Sequence, residues 1–331
     1  MAQQVLRKAH NPNDCFPIEC AELVLPWLTP PELANVSMTC KSLRQVSHSI
    51  TLRRSSDASR SFENFPVPFL NTTYPPYAHF IYTPSLLLSS QHLPRQPWGG
   101  RSVISPAPAL SAESVSLVDE SGRVVSGCDC RDACSDCPCS CLDGLDVGRE
   151  CGPGCRCGPE CGSRSSQKGV AVRVKIVRDG RKGWALCADQ FIRKGQFVFE
   201  YAGELLTTKE AQKRQQYYDE LALHGRFSSA LLVIREHLPS GNACLRLNID
   251  ATRIGNVARF VNHSCDGGNL STKLVRSSGA LFPRLCFFAL EDIPEDEEFS
   301  FSYGEIRKRS NGLPCFCNSP SCFGTLPSED T

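Results

Sequence analysis

Between residues 19 and 50 apolar side chains recur at helical intervals. Leu23, Leu25, Leu28, Leu33, Val36, Leu43 and Val46 are placed for one or two short helices around a Pro30-Pro31 start. The periodicity then dissolves. From Ser55 to Ser126 the chain turns to Ser and Pro, which predicts coil and extended segments without stable helices. Inside that stretch Phe62-Glu63-Asn64-Phe65-Pro66-Val67-Pro68-Phe69 and Phe80-Ile81-Tyr82 carry more aromatics than a solvated linker needs, and predict an extended arm laid on a neighbouring surface. Residues 89 to 113, poorer in aromatics, are expected to form a flexible insertion. Further on, β-branched and aromatic residues gather in short runs: Val170 to Val177, Phe197 to Leu205, Leu245 to Ala251, Arg284 to Leu290 and Phe299 to Tyr303. One helix interrupts them, opening on the capping box Thr207-Thr208-Lys209-Glu210 and running to Gly225. The pattern predicts a mostly β architecture of small sheets with one clear helix.

With 331 residues the chain has room for two domains, or for one large domain with flanks. Its 36 basic and 35 acidic residues leave a net charge of +1, so the overall electrostatic footprint of a nucleic-acid binder is missing and direct sequence-specific DNA binding is not expected. No apolar stretch approaches the roughly 18 residues needed to cross a bilayer. The opening Met1-Ala2-Gln3-Gln4-Val5-Leu6-Arg7-Lys8 has no apolar signal core behind it. The expectation is a soluble intracellular protein with no membrane partner.

The cysteines change this picture most. Ten fall between Cys128 and Cys161, and Cys315, Cys317 and Cys322 close the chain behind Asn262-His263-Ser264-Cys265. The first cluster is too dense for an apolar core to organise. Disulfides belong to oxidising compartments, whereas Cys-x-Cys and Cys-x2-Cys spacings let neighbouring thiolates face one tetrahedral zinc ion. Two isolated four-cysteine sites would strand two of the ten. Three zinc ions need twelve coordination positions, which nine cysteines supply if three of them bridge. Omitting Cys137 leaves a regular pattern, so the expected ligands are Cys128, Cys130, Cys134, Cys139, Cys141, Cys151, Cys155, Cys157 and Cys161.

Two resemblances follow from quoted motifs. Leu25-Pro26-Trp27-Leu28 through Cys40-Lys41-Ser42-Leu43-Arg44 resembles part of an F-box, the helical motif that docks on a Skp-type adaptor of ubiquitin ligases; a plain helical appendage is the alternative. From Lys182 onward, Lys182-Gly183-Trp184, Glu200-Tyr201-Ala202-Gly203-Glu204, Arg259-Phe260-Val261-Asn262-His263-Ser264-Cys265 and Phe299-Ser300-Phe301-Ser302-Tyr303-Gly304 occur in the order found in SET-domain lysine methyltransferases. The cysteine clusters on either side are similar to the pre-SET and post-SET modules of the suppressor-of-variegation class, and the plan resembles a small plant member of the related subgroup. The resemblance covers roughly residues 62 to 327. It implies small β-sheets with a pseudoknot, and divides the chain into a helical segment (1–54), an extended arm and Ser/Pro-rich insertion (55–127), a pre-SET zinc cluster (128–167), a SET catalytic domain (168–304) and a post-SET tail (305–331).

The resemblance also implies roles. Lys182, Gly183, Trp184, Tyr201, Asn262, His263 and Tyr303 would hold S-adenosylmethionine, a sulfonium cation that needs positioning groups and electron-rich walls more than a strong acid or base. Tyr303 would orient the substrate amine, and Phe301 would act as the product switch that leaves room for a methylated amine. Cys265 would supply the fourth ligand of a tail zinc with Cys315, Cys317 and Cys322. The implied activity is methyl transfer to a lysine of a histone tail, histone H3 foremost, in the nucleus on chromatin, with a silencing role. A catalytically weak chromatin or ubiquitin-pathway adaptor and a non-histone lysine methyltransferase are the alternatives. Two positions depart from the pattern: Leu247 stands where relatives of this class often carry a tyrosine, and Asp266-Gly267-Gly268-Asn269 replaces x-Pro-Asn. The acidic run Glu291 to Glu298 is either a rim that attracts a basic tail or a solvated turn.

Overall fold

The computed structural model describes residues 18–70, 76–88, 96–98, 111–125, 127, 134, 148–152, 154–224, 227, 229–237, 244–304 and 313–327. They divide into two compact units, Met1–Arg54 with Arg95–Ile104, and Ser55–Pro94 with Ser105–Thr331. Among them no helix is long and apolar enough to cross a membrane.

The first unit is helical. Its elements are α1 (Ile18–Val24), a 3-10 turn at Leu25–Trp27, α2 (Pro30–Ser37) and α3 (Lys41–Ser56), one helix more than the periodicity suggested. The start of α2 is set locally, because Glu32 folds back to accept the Thr29 N–H at 2.8 Å. Ala21, Leu25, Leu33, Val46 and Ile50 form a small core, with Leu28, Val36 and Leu43 packed against it. Residues 89 to 113 do not all behave as a flexible insertion. Trp98 is 1% exposed and its N–H donates to the Pro26 carbonyl at 2.9 Å. The fully buried Arg54 donates to the carbonyls of Trp98 (3.0 Å), Pro26 (3.1 Å) and Leu28 (2.7 Å). Burial of one indole fixes residues 96–98, the middle of a stretch whose average composition reads as loose.

The second unit is built of short strands: β1 (Phe69–Leu70), β2 (Ile81–Tyr82), β3 (Leu87–Leu88), β4 (Gly148–Glu150), β5 (Val174–Asp179), β6 (Gly183–Ala188), β7 (Phe197–Glu200), β8 (Gly203–Leu206), β9 (Leu231–His237), β10 (Cys244–Gly255), β11 (Asn262–His263), β12 (Leu270–Ser277), β13 (Arg284–Ala289) and β14 (Ser300–Phe301). They form a three-stranded sheet β1-β5-β6, a sheet β2-β10-β8-β3 with β9 on β10, a four-stranded sheet β4-β12-β13-β7, and the pair β11-β14. The long α-helix among the described residues of this unit, α4 (Thr208–His224), begins as expected, with the Glu210 N–H donating to the Thr207 hydroxyl at 3.3 Å.

The run Phe197 to Leu205 is two strands in two sheets. The Asn256 side chain accounts for the break, donating to the Glu200 carbonyl at 2.7 Å and accepting from the Ala202 N–H at 3.3 Å. Backbone groups that would have continued one ladder are thereby satisfied where the chain changes sheets. Strands β6, β9 and β12 were not visible as such. Leu270–Ser277 lacks clean alternation and becomes a strand by pairing with β13 along six residues.

The aromatic arm takes the place predicted for it. Phe69 pairs with Ile176 and Ile81 with Ile254, both in parallel. Phe80 and Tyr82 are almost fully buried. The Glu63 carboxylate accepts the Tyr82 hydroxyl and, at 2.7 Å, the Val170 N–H. Buried Arg284 holds β13 against the cysteine-bearing segment, donating to Glu150 at 2.9 Å and to the Ser166 carbonyl at 2.8 Å and lying 3.5 Å from Glu200.

Candidate active site and metal centres

Two sequence-distant segments meet at β11-β14, where Asn262 faces Ser300 and His263 faces Phe301 in parallel register. The Ser264 N–H extends the pairing by donating to the Phe301 carbonyl at 2.9 Å. This pairing sets Tyr303 beside His263, with ring centroids 5.2 Å apart. The Tyr303 hydroxyl donates to the Val261 carbonyl at 2.7 Å, and its backbone N–H donates to His263 Nδ1 at 3.1 Å. Phe301 lies 4.9 Å from Tyr303 and edge-on to Phe287 at 4.8 Å. Tyr201 completes the aromatic group at 6.4 Å from Phe287, its hydroxyl donating to the Ala230 carbonyl at 2.8 Å. Burial pushes the phenols of Tyr303 and Tyr201 well above their usual range, so both stay protonated at neutral pH. Burial also lowers the His263 ring, which is therefore neutral.

Lys182, Gly183 and Trp184 come to the same place from β6. The Asn262 amide donates to the Trp184 carbonyl at 3.2 Å and to Glu298 at 2.8 Å, and Lys182 Nζ pairs with the other Glu298 oxygen at 2.7 Å. Gly183 sits at φ +88° with open space where a side chain would be, which leaves its backbone approachable. Trp184 packs edge-on to Phe69 of the arm at 5.2 Å.

Glu298 was missed by sequence reasoning because it sits in the acidic run, where charge alone suggests a solvated rim. Much of that run is spent within the chain. Asp292 accepts the Lys194 N–H at 2.7 Å, Asp296 pairs with Lys175, and Glu297 accepts from Asn269 at 2.8 Å. Leu247 is buried on β10 opposite Ile234 of β9, a place for an aliphatic side chain in a strand ladder. The Gly267-Gly268 step absorbs the departure after Cys265. Both residues have positive φ, and a Cβ on Gly268 would collide with the Ser300 carbonyl.

Among the described residues the cysteines form two tetrads, Cys134/Cys151/Cys157/Cys161 and Cys265/Cys315/Cys317/Cys322, in each of which the four sulfurs lie within 4.8 Å of one another. Four thiolates around one zinc at about 2.3 Å stand roughly 3.8 Å apart. The Cys134–Cys151 and Cys265–Cys315 sulfur separations are 3.5 and 3.8 Å. These are the spacings of metal ligands, and the cysteines are free thiols. In each tetrad one thiol is held low despite the opposing effect of burial. N–H groups such as that of Cys134 bring Cys161 to about 7, and Ser319 brings Cys317 to about 6, so a thiolate is ready at neutral pH. Cys155 is buried beside the first tetrad but outside it. Cys128, Cys130, Cys139 and Cys141, with Cys137, lie outside the described residues.

A SET-domain family model matches residues 183–304. Over 328 residues the chain is 56% identical to histone-lysine N-methyltransferase SUVR3 of Arabidopsis thaliana, covering 95% of this chain and 92% of the relative. The chain belongs to the SET-domain histone-lysine N-methyltransferase family. The crystal structure of the methyltransferase domain of human SETMAR matches with a TM-score of 0.61 at 29% identity, covering 82% of this chain and 97% of that one. KRYPTONITE, solved in complex with mCHH DNA, H3(1-15) peptide and SAH, matches with a TM-score of 0.57 at 25% identity over 82% of this chain and 53% of that chain. With the family established, the two tetrads stand where its pre-SET and post-SET zinc modules are expected.

Replacing Cys315 by Ser should remove one equivalent of zinc from the purified chain by metal analysis, leaving the metal of the first tetrad in place. An unchanged zinc content would show that the tail tetrad is not a zinc site.

Proposed function

We propose that this chain transfers methyl groups from S-adenosylmethionine to the side-chain amine of a lysine in the histone H3 tail, on chromatin in the nucleus. The observation that carries the proposal is the setting of Tyr303: a half-buried side chain whose hydroxyl donates to the Val261 carbonyl, beside Phe301, Tyr201 and His263. The H3(1-15) peptide and SAH bound by KRYPTONITE support the choice of substrate and cofactor.

The donor set suits the cofactor. Open backbone at Gly183, the side chains of Lys182 and Asn262 drawn together by Glu298, and the neighbouring His263 and Tyr201 form a half-buried cradle with aromatic and carbonyl walls. When bound, the cofactor supplies an electrophilic methyl group. Tyr303 keeps its own proton and offers an oxygen lone pair to the incoming amine, which orients the amine for in-line attack. A lysine is an ammonium with a free pKa of about 10.4, so it must lose a proton before it can attack. A phenol held above its normal range is protonated at the outset and does not begin as the base.

Tyr303→Phe removes the oxygen that aims the amine. It should lower kcat by about 10²-fold with little change in cofactor affinity, as for an interaction made mainly in the transition state, measured by labelled-methyl transfer to an H3 peptide and by calorimetric cofactor binding. Equal losses in both would assign Tyr303 to cofactor binding alone. Phe301, packed against both Phe287 and Tyr303, has no hydroxyl to hold a water in the channel, and we assign the enzyme di- or trimethylation. Phe301→Tyr should shift the products toward monomethyl-lysine by mass spectrometry, and an unaltered distribution would remove Phe301 from product control.

A Skp-type adaptor is proposed for the helical unit on the strength of its F-box-like sequence and of Ile18, Leu23, Val24 and Met38, which leave apolar side chains exposed on α1 and just beyond α2. The chain should co-elute with such an adaptor in gel filtration, and Leu23→Glu should abolish that. Separate elution of the wild-type chain would leave the unit as an appendage.

A further inference from the structure

We infer that His263 is a positioning residue that couples the tail cysteine tetrad to Tyr303 through one fixed tautomer of its ring. The inference rests on taking Cys265 as a metal ligand and Tyr303 as the amine-orienting phenol, and adds a link between them.

The observation is a pair of contacts at opposite edges of one buried imidazole; the Phe301 carbonyl, which also lies within reach of the ring, already accepts the Ser264 N–H at 2.9 Å. Nδ1 receives the backbone N–H of Tyr303 at 3.1 Å, and Nε2 lies 3.3 Å from Sγ of Cys265. A backbone N–H only donates, so Nδ1 must present its lone pair. A neutral imidazole carries one ring proton, and that proton is left to Nε2. It points at the Cys265 sulfur, which accepts it best as the thiolate of a metal-bound cysteine. The opposite tautomer would set two hydrogens against each other at Tyr303 and two lone pairs at the metal-bound sulfur. The ring has little freedom to avoid the choice: His263 is 5% exposed and its backbone is paired with Phe301.

A rigid relay results. With zinc in the tail tetrad, the Cys265 thiolate would hold the Nε2 proton, while Nδ1 holds the backbone of Tyr303, whose hydroxyl is anchored at Val261 on the same segment, 2.7 Å away. Occupancy of the tail tetrad is thereby felt at the phenol without direct contact. Any contact of His263 with the cofactor is separate from this relay.

Glutamine can place its amide N–H near the position of Nε2, asparagine can place its amide oxygen near that of Nδ1, and leucine keeps bulk without either. In the full zinc-loaded chain, transfer of zinc to a chromophoric chelator should be about 10- to 100-fold easier from the tail site of His263→Leu and His263→Asn, and near wild type in His263→Gln. The tail site is identified by subtracting the release trace of Cys315→Ser. In the cobalt-substituted chain the thiolate-to-metal charge-transfer band should shift in the Leu and Asn variants and return in Gln. kcat on an H3 peptide should show the other half of the relay, with His263→Asn retaining more than His263→Gln. Equal zinc release from all three variants at the wild-type rate would overturn the coupling. Should the variants not fold, a long-range ¹H–¹⁵N spectrum of the histidine-labelled wild-type chain decides, because a His263 ring protonated at Nδ1 refutes the inference and one protonated at Nε2 upholds it. Zinc release and ring tautomer are read without turnover, so a chain that transfers no methyl would defeat the proposed activity and leave this coupling to stand or fall by itself.

Discussion

The parallel pairing of Asn262-His263 with Ser300-Phe301 is the contact on which the site depends. Two residues on each side are too few to be stable alone, since an isolated pair of short strands is marginal in water. The pairing persists because its neighbours are fixed by other means. Asn269 donates to Glu297 at 2.8 Å and to the Glu298 carbonyl at 3.0 Å, and accepts the Ser300 N–H at 3.0 Å. The Gly268 backbone lies flush on Ser300, and Cys265 is held by the tail tetrad. Tyr303, His263, Asn262 and Phe301 all take their positions from this one crossing.

Charge is used here as internal fastening more than as surface. Glu298 joins Lys182 to Asn262, Arg284 gathers Glu150, Glu200 and Ser166, and Arg214 of α4 binds Glu204 of β8 and Asp250 of β10, each at 2.7 Å. Each joins separate elements, from ten residues apart for Arg214 and Glu204 to 134 apart for Arg284 and Glu150. Buried ion pairs of this kind contribute little net stability, but removing one partner leaves a charge stranded, so they penalise alternative arrangements. In a fold whose described strands run from two to twelve residues, that penalty and the cysteine tetrads add specificity to what the apolar core supplies.

The aromatic arm plays the corresponding part for the cofactor cradle. Phe69 stacks edge-on to both Trp184 and Phe260, Phe80 also meets Phe260, and Arg259 lies over Phe80 at 4.8 Å while donating to the carbonyls of Ala251 and Thr252. An arm with only two-residue strands thus supports the backs of the residues proposed to hold the cofactor. Burial of several rings offsets the entropy of ordering an extended chain.

The sequence by itself determined the family and the helix α4, and it named the residues proposed for the site and the cysteines found in the two tetrads, because each is written in local spacing: Cys-x-Cys, Asn-His-Ser-Cys, Phe-x-Tyr, a capping box. It also marked the arm as ordered through its aromatic content. It did not show that Phe197–Leu205 is divided between two sheets, that Trp98 is buried, that Glu298 joins Lys182 to Asn262, or that Leu247 is taken up in a β9–β10 ladder. Only the tertiary structure decided these. The partner of a strand such as β14 and the cation of a carboxylate such as Glu298 are set by groups tens of residues away, and no local pattern encodes a partner that distant.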